Sequence, residues 1–486
     1  MEIKDLQPTE VFSIFDEITK IPRPSKKEEK IREYLIDFAK KNNLAVKTDK
    51  VGNVVISKGA TPGHENAPTV IMQGHMDMVC ESNDKHFDFT TQPIPTVIDG
   101  EWIRTNGTTL GADNGIGMAA ALAALTDNSF EHGPLEALFT VDEETGMTGA
   151  NNLGPDMISG SMLLNLDSED DAEIFVGCAG GVDTQAFFTY NRSFAPKDFL
   201  YFKINVEGLN GGHSGGDIHL GRANANKVLA RFLFMLSNKH EVVVSEIDGG
   251  NLRNAIPRAS HAVIGVHTSR KEEVRVMLNH YIADLENEYK GIEPNLKMTM
   301  ESVDTPDFTI DQTTSLNLIR ALYSAPHGVV SMSRELEGLV ETSTNLASVK
   351  MTGDNTIVVT TSQRSSVESR KWDIAYQVEA VFLLAGATVK HGDGYPGWQP
   401  NLESPIMKIS SEAYEELYHV KPAIKAIHAG LECGLFLTKY PHLDMVSFGP
   451  TLRDVHSPSE RMFIPAVERF WGQLKRTLEK VGELKK

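Results

Sequence analysis

The sequence is poor in cysteine and in positive charge, and it has no long apolar run. Three cysteines, Cys80, Cys178 and Cys433, are odd in number and far apart, which argues against a disulfide framework and favours a reducing compartment. Lys and Arg total 47 against 66 Asp and Glu, a net charge of −19, so nucleic acid and anionic membranes would be repelled. No apolar run approaches the roughly 20 residues that span a bilayer. We expect a soluble cytoplasmic protein without nucleic-acid or membrane partners.

The composition is that of a folded protein, with 41% hydrophobic and 23% charged residues. At about 100–200 residues per domain, 486 residues suggest two or three domains. Short apolar strands alternate with helical patterns in the first part of the chain; the predicted strands are 51–57, 69–73, 135–141 and 162–166, and a helix is predicted at 115–126. This alternation is typical of an α/β layer with a largely parallel sheet.

A different pattern occupies the middle of the chain. Residues 200–302 predict the order β-α-β-β-α-β, and residues 296–391 repeat it with the strand 296–302 shared. The α/β pattern then returns. We therefore expect an α/β domain formed by 1–185 and 396–486, with an inserted α+β domain of two split-βαβ lobes at 186–395.

Charged side chains follow the predicted strands at the point where each ends. His75 and Asp77, two apart, come directly after the strand 69–73, and Asp142, Glu143 and Glu144 follow the strand 135–141. A lone His-x-Asp is commonly a hydrogen-bonded pair that ends a strand, but three consecutive acids are costly unless cations neutralise them. A bound metal is the simplest explanation.

Further metal-ligand candidates lie in comparable places. Asp113 occupies a glycine-flanked turn before a helix, where an Asp can also be an ordinary cap, and Asp167 follows the strand 162–166. His456 follows another predicted strand, 443–448. Because the carboxyl ends of parallel strands meet at one edge, these residues would form one crevice with enough ligands for two four- or five-coordinate Zn²⁺ sites.

Several motifs, in order along essentially the whole chain, resemble those of the bacterial aminoacyl-histidine dipeptidases. These enzymes belong to the di-zinc metallopeptidases that also include carnosinase and carboxypeptidase G. The motifs are GHMDM (74–78), TLGADNGIG (109–117), DEETGMTGA (142–150), LDSED (166–170), GGHSGG (211–216), NAIPR (254–258), HAGLECG (428–434) and HSP (456–458). One departure is Asn114, where the wider family usually has Asp. The resemblance implies a parallel-sheet peptidase domain with an inserted lid.

The resemblance also implies the roles of the metal-site residues. Asp113 would bridge two zinc ions, with Co²⁺ or Mn²⁺ as possible substitutes, and the Asp113–Asn114 peptide bond would be cis. The ligands that complete the two sites would be His75 and Asp167 for one, and Glu144 and His456 for the other. Asp77 would fix the tautomer of His75. Glu143 would be the general base and acid for the attacking water, and we expect it to point away from Glu144 at a strand end.

The resemblance implies four substrate-binding residues, of which three lie in the lid and the fourth, Gly430, in the α/β domain. His213 would donate to the oxyanion, Asn254 and Arg364 would hold the substrate backbone and its carboxylate, and Gly430 would offer a backbone amide or a close approach. Other interpretations stay open: the loop 211–216 could bind phosphate, Asn254 could only shape a turn, and Arg364 could be a solvated edge charge. His213 could act in its own chain or across a dimer.

The expected activity is metal-dependent hydrolysis of unblocked dipeptides, preferentially Xaa-His and including carnosine. Two other functions are compatible with the same motifs: hydrolysis of an N-acyl amino acid, and metal binding without catalysis. The expected partners are a dipeptide substrate and a second copy of the chain that forms a homodimer through the lid.

Overall fold

The structure is a computed structural model and describes residues 2–484. The helices, in chain order, are α1 (Thr9–Ile18), α2 (Glu29–Lys41), α3 (Ala112–Thr126), α4 (Glu143–Gly146), α5 (Thr148–Asn152), α6 (Ala225–Ser237), α7 (Lys271–Glu288), α8 (Gln312–Ser324), α9 (Glu368–Leu384), α10 (Pro405–Tyr418), α11 (Glu432–Lys439) and α12 (Ile464–Gly482). Short 3₁₀ helices occur at Ile3–Asp5, Ile218–Leu220 and Thr268–Arg270. Within residues 2–484, no helix combines the length and the apolar character needed to cross a bilayer.

The strands, in chain order, are β1 (Ala45–Thr48), β2 (Val54–Lys58), β3 (Val70–His75), β4 (Thr96–Asp99), β5 (Trp102–Thr105), β6 (Leu135–Thr140), β7 (Met162–Asn165), β8 (Glu173–Cys178), β9 (Gly180–Thr189), β10 (Arg192–Ser193), β11 (Phe199–Glu207), β12 (Gly212–His213), β13 (Val242–Gly249), β14 (Ala255–Ile256), β15 (Ser260–His267), β16 (Lys297–Val303), β17 (Thr309–Ile310), β18 (Gly328–Met332), β19 (Val340–Thr352), β20 (Thr356–Ser365), β21 (Thr388–His391), β22 (Ala423–Ile427), β23 (Asp444–Ser447), β24 (Leu452–Arg453) and β25 (Arg461–Phe463).

The chain divides into two compact units. The first comprises the described residues of Met1–Cys178, Trp398–Ala426 and Leu431–Lys486, and the second comprises Ala179–Gly397 and Ile427–Gly430. The short segment 427–430, which the sequence assigns to the α/β domain, thus belongs with the second unit. Its place there has a local cause, because the backbone N–H of Ala179 donates to the carbonyls of Ile427 and Ala429 at 3.1 and 3.0 Å.

The first unit contains an eight-stranded sheet in the order β1-β2-β6-β3-β7-β23-β8-β22. Its centre is parallel, because β3 pairs in parallel with β6 and β7, and β23 pairs in parallel with β7. Every residue of β3 and β6 is buried, as expected of strands that are covered on both faces. Helix α3, which is rich in alanine and buried along almost its whole length, packs against β3 and α1. The carboxyl ends of β3, β6 and β7 therefore meet at one edge of this sheet.

The second unit contains an antiparallel sheet in the order β16-β11-β15-β13-β19-β20-β9-β21, with β18 paired to β19. Large apolar side chains such as Phe202, Phe232 and Phe382 form a single core. The two predicted lobes thus join into one sheet through a contact between β13 and β19.

One strand assignment in the second unit differs from the prediction. The strand at 297–303, β16, pairs only with β11 and so belongs to the first lobe alone. The first strand of the second lobe is instead β9, which pairs with β20 along all ten of its residues and also with β21. The first lobe is therefore inserted within the second. Strand β9 escaped prediction although its burial alternates along much of its length, as in a strand with one covered face.

Candidate active site

The parallel strands of the first unit end at the predicted metal residues. His75 is the last residue of β3, and Asp167 lies two residues beyond β7. Register pairs Gln73 with Asn165, so the two strands reach the sheet edge side by side. The Nε2 atom of His75 lies 3.4 Å from the Oδ1 atom of Asp167. Strand pairing alone is therefore enough to bring these two residues together.

Asp113 joins two groups of candidate ligands. Its Oδ1 atom lies 3.0 Å from Nε2 of His75, and its Oδ2 atom lies 3.1 Å from Nε2 of His456. The same His456 nitrogen lies 3.0 Å from Oε2 of Glu144. The ligand atoms of His75, Asp113 and Asp167 lie within 4.8 Å of one another, and so do those of Asp113, Glu144 and His456. The carboxylate of Asp113 therefore lies between two groups of candidate metal ligands.

The residues of this cluster fit divalent cations. The Oε1 atom of Glu144 and the Oδ1 atom of Asp167 are buried and have no hydrogen-bond partner among residues 2–484. Burial raises the pKa of Asp167 to about 7 against the opposing effect of His75. Buried carboxylates of this kind are normally paired or coordinated to a metal. Imidazole nitrogens with carboxylate oxygens suit Zn²⁺ and also Mn²⁺ or Co²⁺.

Asp77 contacts the His75 ring and the backbone of Glu143 and Glu144. Its Oδ1 atom lies 3.3 Å from Nδ1 of His75 and accepts a hydrogen bond from the backbone N–H of Glu143 at 3.0 Å. Its Oδ2 atom accepts from the N–H of Glu144 at 3.2 Å and from the Ser25 hydroxyl at 2.7 Å. Burial opposes ionisation of Asp77, but the interactions with His75 and Ser25 lower its pKa to about 2. Asp77 is thus held ionised next to the imidazole.

The local structure at Glu143 and Glu144 differs from the prediction. Strand β6 ends at Thr140, and the backbone of Asp142 is left-handed (φ +53°), so the chain turns into the short helix α4. Adjacent residues of a helix point about 100° apart, not to opposite sides as on a strand. The expectation that the two glutamates point to opposite sides is therefore not met, because each offers an oxygen in one group with His75 whose ligand atoms lie within 4.8 Å of one another. Burial raises the pKa of Glu143 well above its usual range.

Sequence reasoning missed Glu460, which holds the turn that carries Asp113. Its Oε2 atom accepts from the backbone N–H groups of Leu110 and Gly111 at 2.7 and 3.0 Å. Its Oε1 atom accepts from the N–H of Ala112 at 2.8 Å and of Asp113 at 3.4 Å. Gly111 has a positive φ of 68°, which turns these N–H groups towards a single carboxylate. The only signal in the sequence was that Glu460 lies four residues after His456.

The peptide bond between Asp113 and Asn114 is cis, as the resemblance implies. The buried Asn114 donates through Nδ2 to the carbonyl of Leu166 at 2.7 Å. It therefore connects the turn to the segment that carries Asp167. A Cβ atom at Gly74 would collide with the Asn114 side chain, so β3 needs glycine there. This donor role explains why Asn serves at a position where the wider family usually has Asp.

Sequence reasoning also missed Arg23, which lies between Pro22 and Pro24. The side chain is 2% exposed. Its Nη1 atom donates to the carbonyls of Met76 and Asp77 at 3.1 and 2.6 Å, and its Nη2 atom donates to the carbonyl of Gly111. Arg23 therefore links the segment after β3 to the turn before Asp113.

In the second unit, His213 has a fixed tautomer. It lies on β12, which pairs with β14. Its Nδ1 atom accepts from the backbone N–H groups of Gly215 and Gly216 at 3.2 and 3.0 Å. Burial, with the charge of Arg364, lowers the pKa of His213. The neutral ring therefore carries its proton on Nε2, where it can act as a hydrogen-bond donor.

Arg364 is buried in the same unit and is not the solvated edge charge that the sequence left open. Its Nη1 atom donates to the Tyr395 hydroxyl at 2.9 Å, whereas its buried Nε atom has no hydrogen-bond partner in the described part of the chain. His428 is also buried, and sequence reasoning did not single it out within HAGLECG. It interacts electrostatically with Arg364, and its Nε2 atom forms a hydrogen bond of 2.7 Å with the Ser343 hydroxyl. Burial and Arg364 lower the pKa of His428 to about 3. Arg364 is therefore a buried guanidinium next to a neutral imidazole.

The other two predicted substrate-binding residues, Asn254 and Gly430, also lie in the second unit. Asn254 is exposed, and its backbone carbonyl accepts from the N–H of Ser214 at 2.8 Å. With His213 it lines a cavity of about 760 Å³ in the second unit. Gly430 is half-buried at the end of the segment 427–430.

This chain is similar over its whole length to several known proteins. The cytosol non-specific dipeptidase of Escherichia coli (strain K12) is 43% identical over 481 residues, which cover 99% of both chains. The crystal structure of aminoacylhistidine dipeptidase from Vibrio alginolyticus matches with a TM-score of 0.92 and 43% identity, covering 100% of this chain and 99% of that one. Aminopeptidase PepT from Bacillus cereus shares the fold at 16% identity and a TM-score of 0.63, covering 98% of this chain and 100% of that one.

The expected fold class and family resemblance are confirmed by these whole-chain matches. Residues 71–480 match the description of peptidase family M20/M25/M40. That range is most of the chain. The protein therefore belongs to peptidase family M20/M25/M40.

Proposed function

We propose that this protein is a metal-dependent dipeptidase that hydrolyses unblocked dipeptides, preferentially Xaa-His and including carnosine. The observation that carries the proposal is the placement of Asp113 between His75 and His456, with one carboxylate oxygen near each imidazole. The names of the two relatives at 43% identity support a dipeptide substrate, and that of the Vibrio protein supports histidine at the second position.

The proposed cofactor is a pair of Zn²⁺ ions per chain, for which Co²⁺ or Mn²⁺ would substitute. His75, Asp113 and Asp167 would hold one ion, and Asp113, Glu144 and His456 the other. When bound, the pair would polarise the scissile carbonyl and lower the pKa of the attacking water.

Glu143 is the proposed general base. It takes the proton from the attacking water and passes it to the nitrogen of the leaving amine. Burial supports this role, because it raises the pKa of Glu143 above its usual range and so makes the carboxylate a stronger base. Asp77 orients the His75 ring and holds the N–H groups of Glu143 and Glu144 at the start of α4.

The proposed substrate contacts come from the second unit. His213 would donate its Nε2 proton to the oxyanion, in keeping with the tautomer that Gly215 and Gly216 impose. Arg364 would bind the free carboxylate of the dipeptide through its unpartnered Nε–H. Asn254 and the backbone N–H of Gly430 would hold the peptide backbone.

The proposal is tested with purified protein and a panel of dipeptides. The panel contains carnosine, Xaa-His and Xaa-Ala dipeptides, their N-acetylated forms and N-acetyl amino acids. We expect cleavage of the unblocked dipeptides, fastest with histidine second, and loss of cleavage after chelation with recovery on adding Zn²⁺. Cleavage of only the N-acetyl compounds would replace this proposal with an acylase, and cleavage that persists without metal would refute it.

We further propose a cytoplasmic homodimer with no nucleic-acid or membrane partner. The name of the E. coli relative supports the location, and the net charge of −19 supports the absence of anionic partners. Strand β18 supports a dimer through the second unit, because among residues 2–484 it pairs only with β19, and it exposes Val329, Val330 and Met332 by 39, 47 and 45%. An apolar edge strand can pair with its own copy about a two-fold axis.

A further inference from the structure

A chain of buried polar side chains crosses the parallel strands of the first unit and ends at Glu432. Gln73 donates through Nε2 to Oε2 of Glu432 at 2.6 Å. Asn165 donates through Nδ2 to Oε1 of Gln73 at 2.6 Å, and the Ser447 hydroxyl donates to Oδ1 of Asn165 at 2.5 Å. All four side chains are at most 1% exposed. Neighbouring strands β3, β7 and β23 are thus connected through their side chains as well as their backbones.

The direction of these hydrogen bonds identifies Glu432 as their end point. Each donor points towards it, and of the four side chains in this series only the carboxylate can accept hydrogen bonds without donating one. The Thr140 hydroxyl donates to the same Oε2 atom at 2.8 Å. Burial raises the pKa of Glu432 to about 7, and the bonds from Thr140 and Gln73 oppose that rise. The other oxygen, Oε1, has no hydrogen-bond partner within residues 2–484.

The hydrogen-bonded side chains occupy defined positions on the strands relative to the candidate metal ligands. Gln73 precedes His75 by two residues and Asn165 precedes Asp167 by two. Thr140 ends β6, immediately before the turn into α4 and its two glutamates. Glu432 also interacts electrostatically with His75 and Asp167.

We propose that Glu432 is a positioning residue for the metal centre. Its hydrogen bonds fix the ends of β3 and β6, and its buried negative charge favours divalent cations at His75 and Asp167. Side chains that surround the metal ligands without binding the metal commonly orient those ligands and increase metal affinity. The inference rests on the proposed metal-dependent function, and it extends that function to a residue that touches no substrate.

The test uses the full chain with Glu432→Gln, which removes the charge but keeps an acceptor oxygen for Gln73 and Thr140. We expect the affinity for Zn²⁺, measured by competition with a chromophoric chelator, to fall by about 10- to 100-fold. Activity at saturating Zn²⁺ should recover to near the wild-type value, because Glu432 takes no part in proton transfer. Gln73→Leu, which breaks the link to β3 and keeps the charge, should weaken Zn²⁺ binding by a smaller factor.

The matched control is Glu136→Gln at the opposite end of β6. Glu136 is also a buried glutamate, and it accepts from the N–H and hydroxyl of Ser159 and from the N–H of Gly160. This variant should lower the midpoint of urea unfolding without changing Zn²⁺ affinity.

Two results would overturn the inference: wild-type Zn²⁺ affinity in Glu432→Gln, or an equal loss of affinity in Glu136→Gln. A wild-type protein that binds no divalent ion would instead refute the proposed function itself, and this is seen before any variant is made.

Discussion

The carboxylate of Asp77 lies 3.3 Å from the Nδ1 atom of His75, while the other ring nitrogen faces Asp113. One aspartate therefore lies beside the imidazole on the side opposite the candidate metal ligands. The same carboxylate accepts hydrogen bonds from the backbone N–H groups of the two glutamates at the start of α4. The histidine on β3 and the glutamates after β6 are thus positioned by a single side chain.

Asp77→Asn should impair metal binding and catalysis together. The amide presents N–H groups where the carboxylate accepts, so the start of α4 loses one hydrogen bond and the His75 ring loses its charged neighbour. Affinity for Zn²⁺ should fall by about 10- to 100-fold, measured by chelator competition. The control is Ser25→Ala, which removes one hydrogen bond to Asp77 and leaves its charge. Equal effects of the two variants would show that the charge of Asp77 is unimportant.

Glu143 and Glu144 should separate catalysis from metal binding. Glu143→Ala should retain two metal ions per chain while kcat falls by at least roughly 10²–10⁴-fold, the usual contribution of a general base. Glu144→Ala should lose or weaken one ion, because Glu144 contacts His456. Elemental analysis and steady-state kinetics on both variants check this. Loss of metal in the Glu143 variant with full metal in the Glu144 variant would reverse the two roles.

Arg364→Lys should weaken recognition of a free carboxylate. A single ammonium cannot keep the bond to Tyr395 and also replace the unpartnered Nε–H. A hydrogen bond between charged groups contributes about 1.5–3 kcal/mol, so kcat/KM for unblocked dipeptides should fall by roughly 10- to 100-fold. For dipeptide amides, which have no free carboxylate, kcat/KM should fall much less. Arg192→Ala, at an exposed site in the same unit, is the control. An equal loss for amides and free dipeptides would disprove carboxylate recognition.

His428 should make the folded protein sensitive to acid. Its folded pKa of about 3 lies below its ordinary value of 6.5, so the unfolded chain binds a proton that the folded chain does not as the pH falls between these values. Stability is therefore lost in this window, by about 1.4 kcal/mol per pH unit for one such group. In urea unfolding with chelator present, His428→Gln should lose stability less steeply than wild type between about pH 6 and pH 4. The exposed His280→Gln should keep the wild-type slope, and the same slope in His428→Gln would contradict the prediction.

Strand β18 should form a dimer contact. Val330→Lys places a charge on the exposed apolar edge and should convert a dimer into a monomer in sedimentation velocity at micromolar concentration. Val276→Lys is the matched control, since Val276 is similarly exposed (53%) but lies on helix α7. A monomeric wild-type protein with normal activity would rule out the proposed homodimer.

The sequence by itself determined the order of the elements and the family. The strands predicted at 69–73, 135–141 and 162–166 and the helix predicted at 115–126 lie within a few residues of β3, β6, β7 and α3, because burial selects apolar residues in patterns that follow the period of the element. The motifs placed the candidate ligands at strand ends for a related reason, since ligands gather where parallel strands finish.

Only the tertiary structure decided the contacts that depend on residues far apart in the chain. Arg23 and Glu460 hold the turn around Asp113 from positions about 90 and 350 residues away, and neither has a local pattern that distinguishes it from other charged residues. Strand β9 likewise belongs to the second lobe only through its pairing with β20. The helical turn at Glu143 depends on the left-handed backbone of Asp142, which periodicity does not encode. Periodicity reports which face of an element is buried, whereas partner choice between distant elements depends on complementary hydrogen bonds and packing that form only in the folded chain.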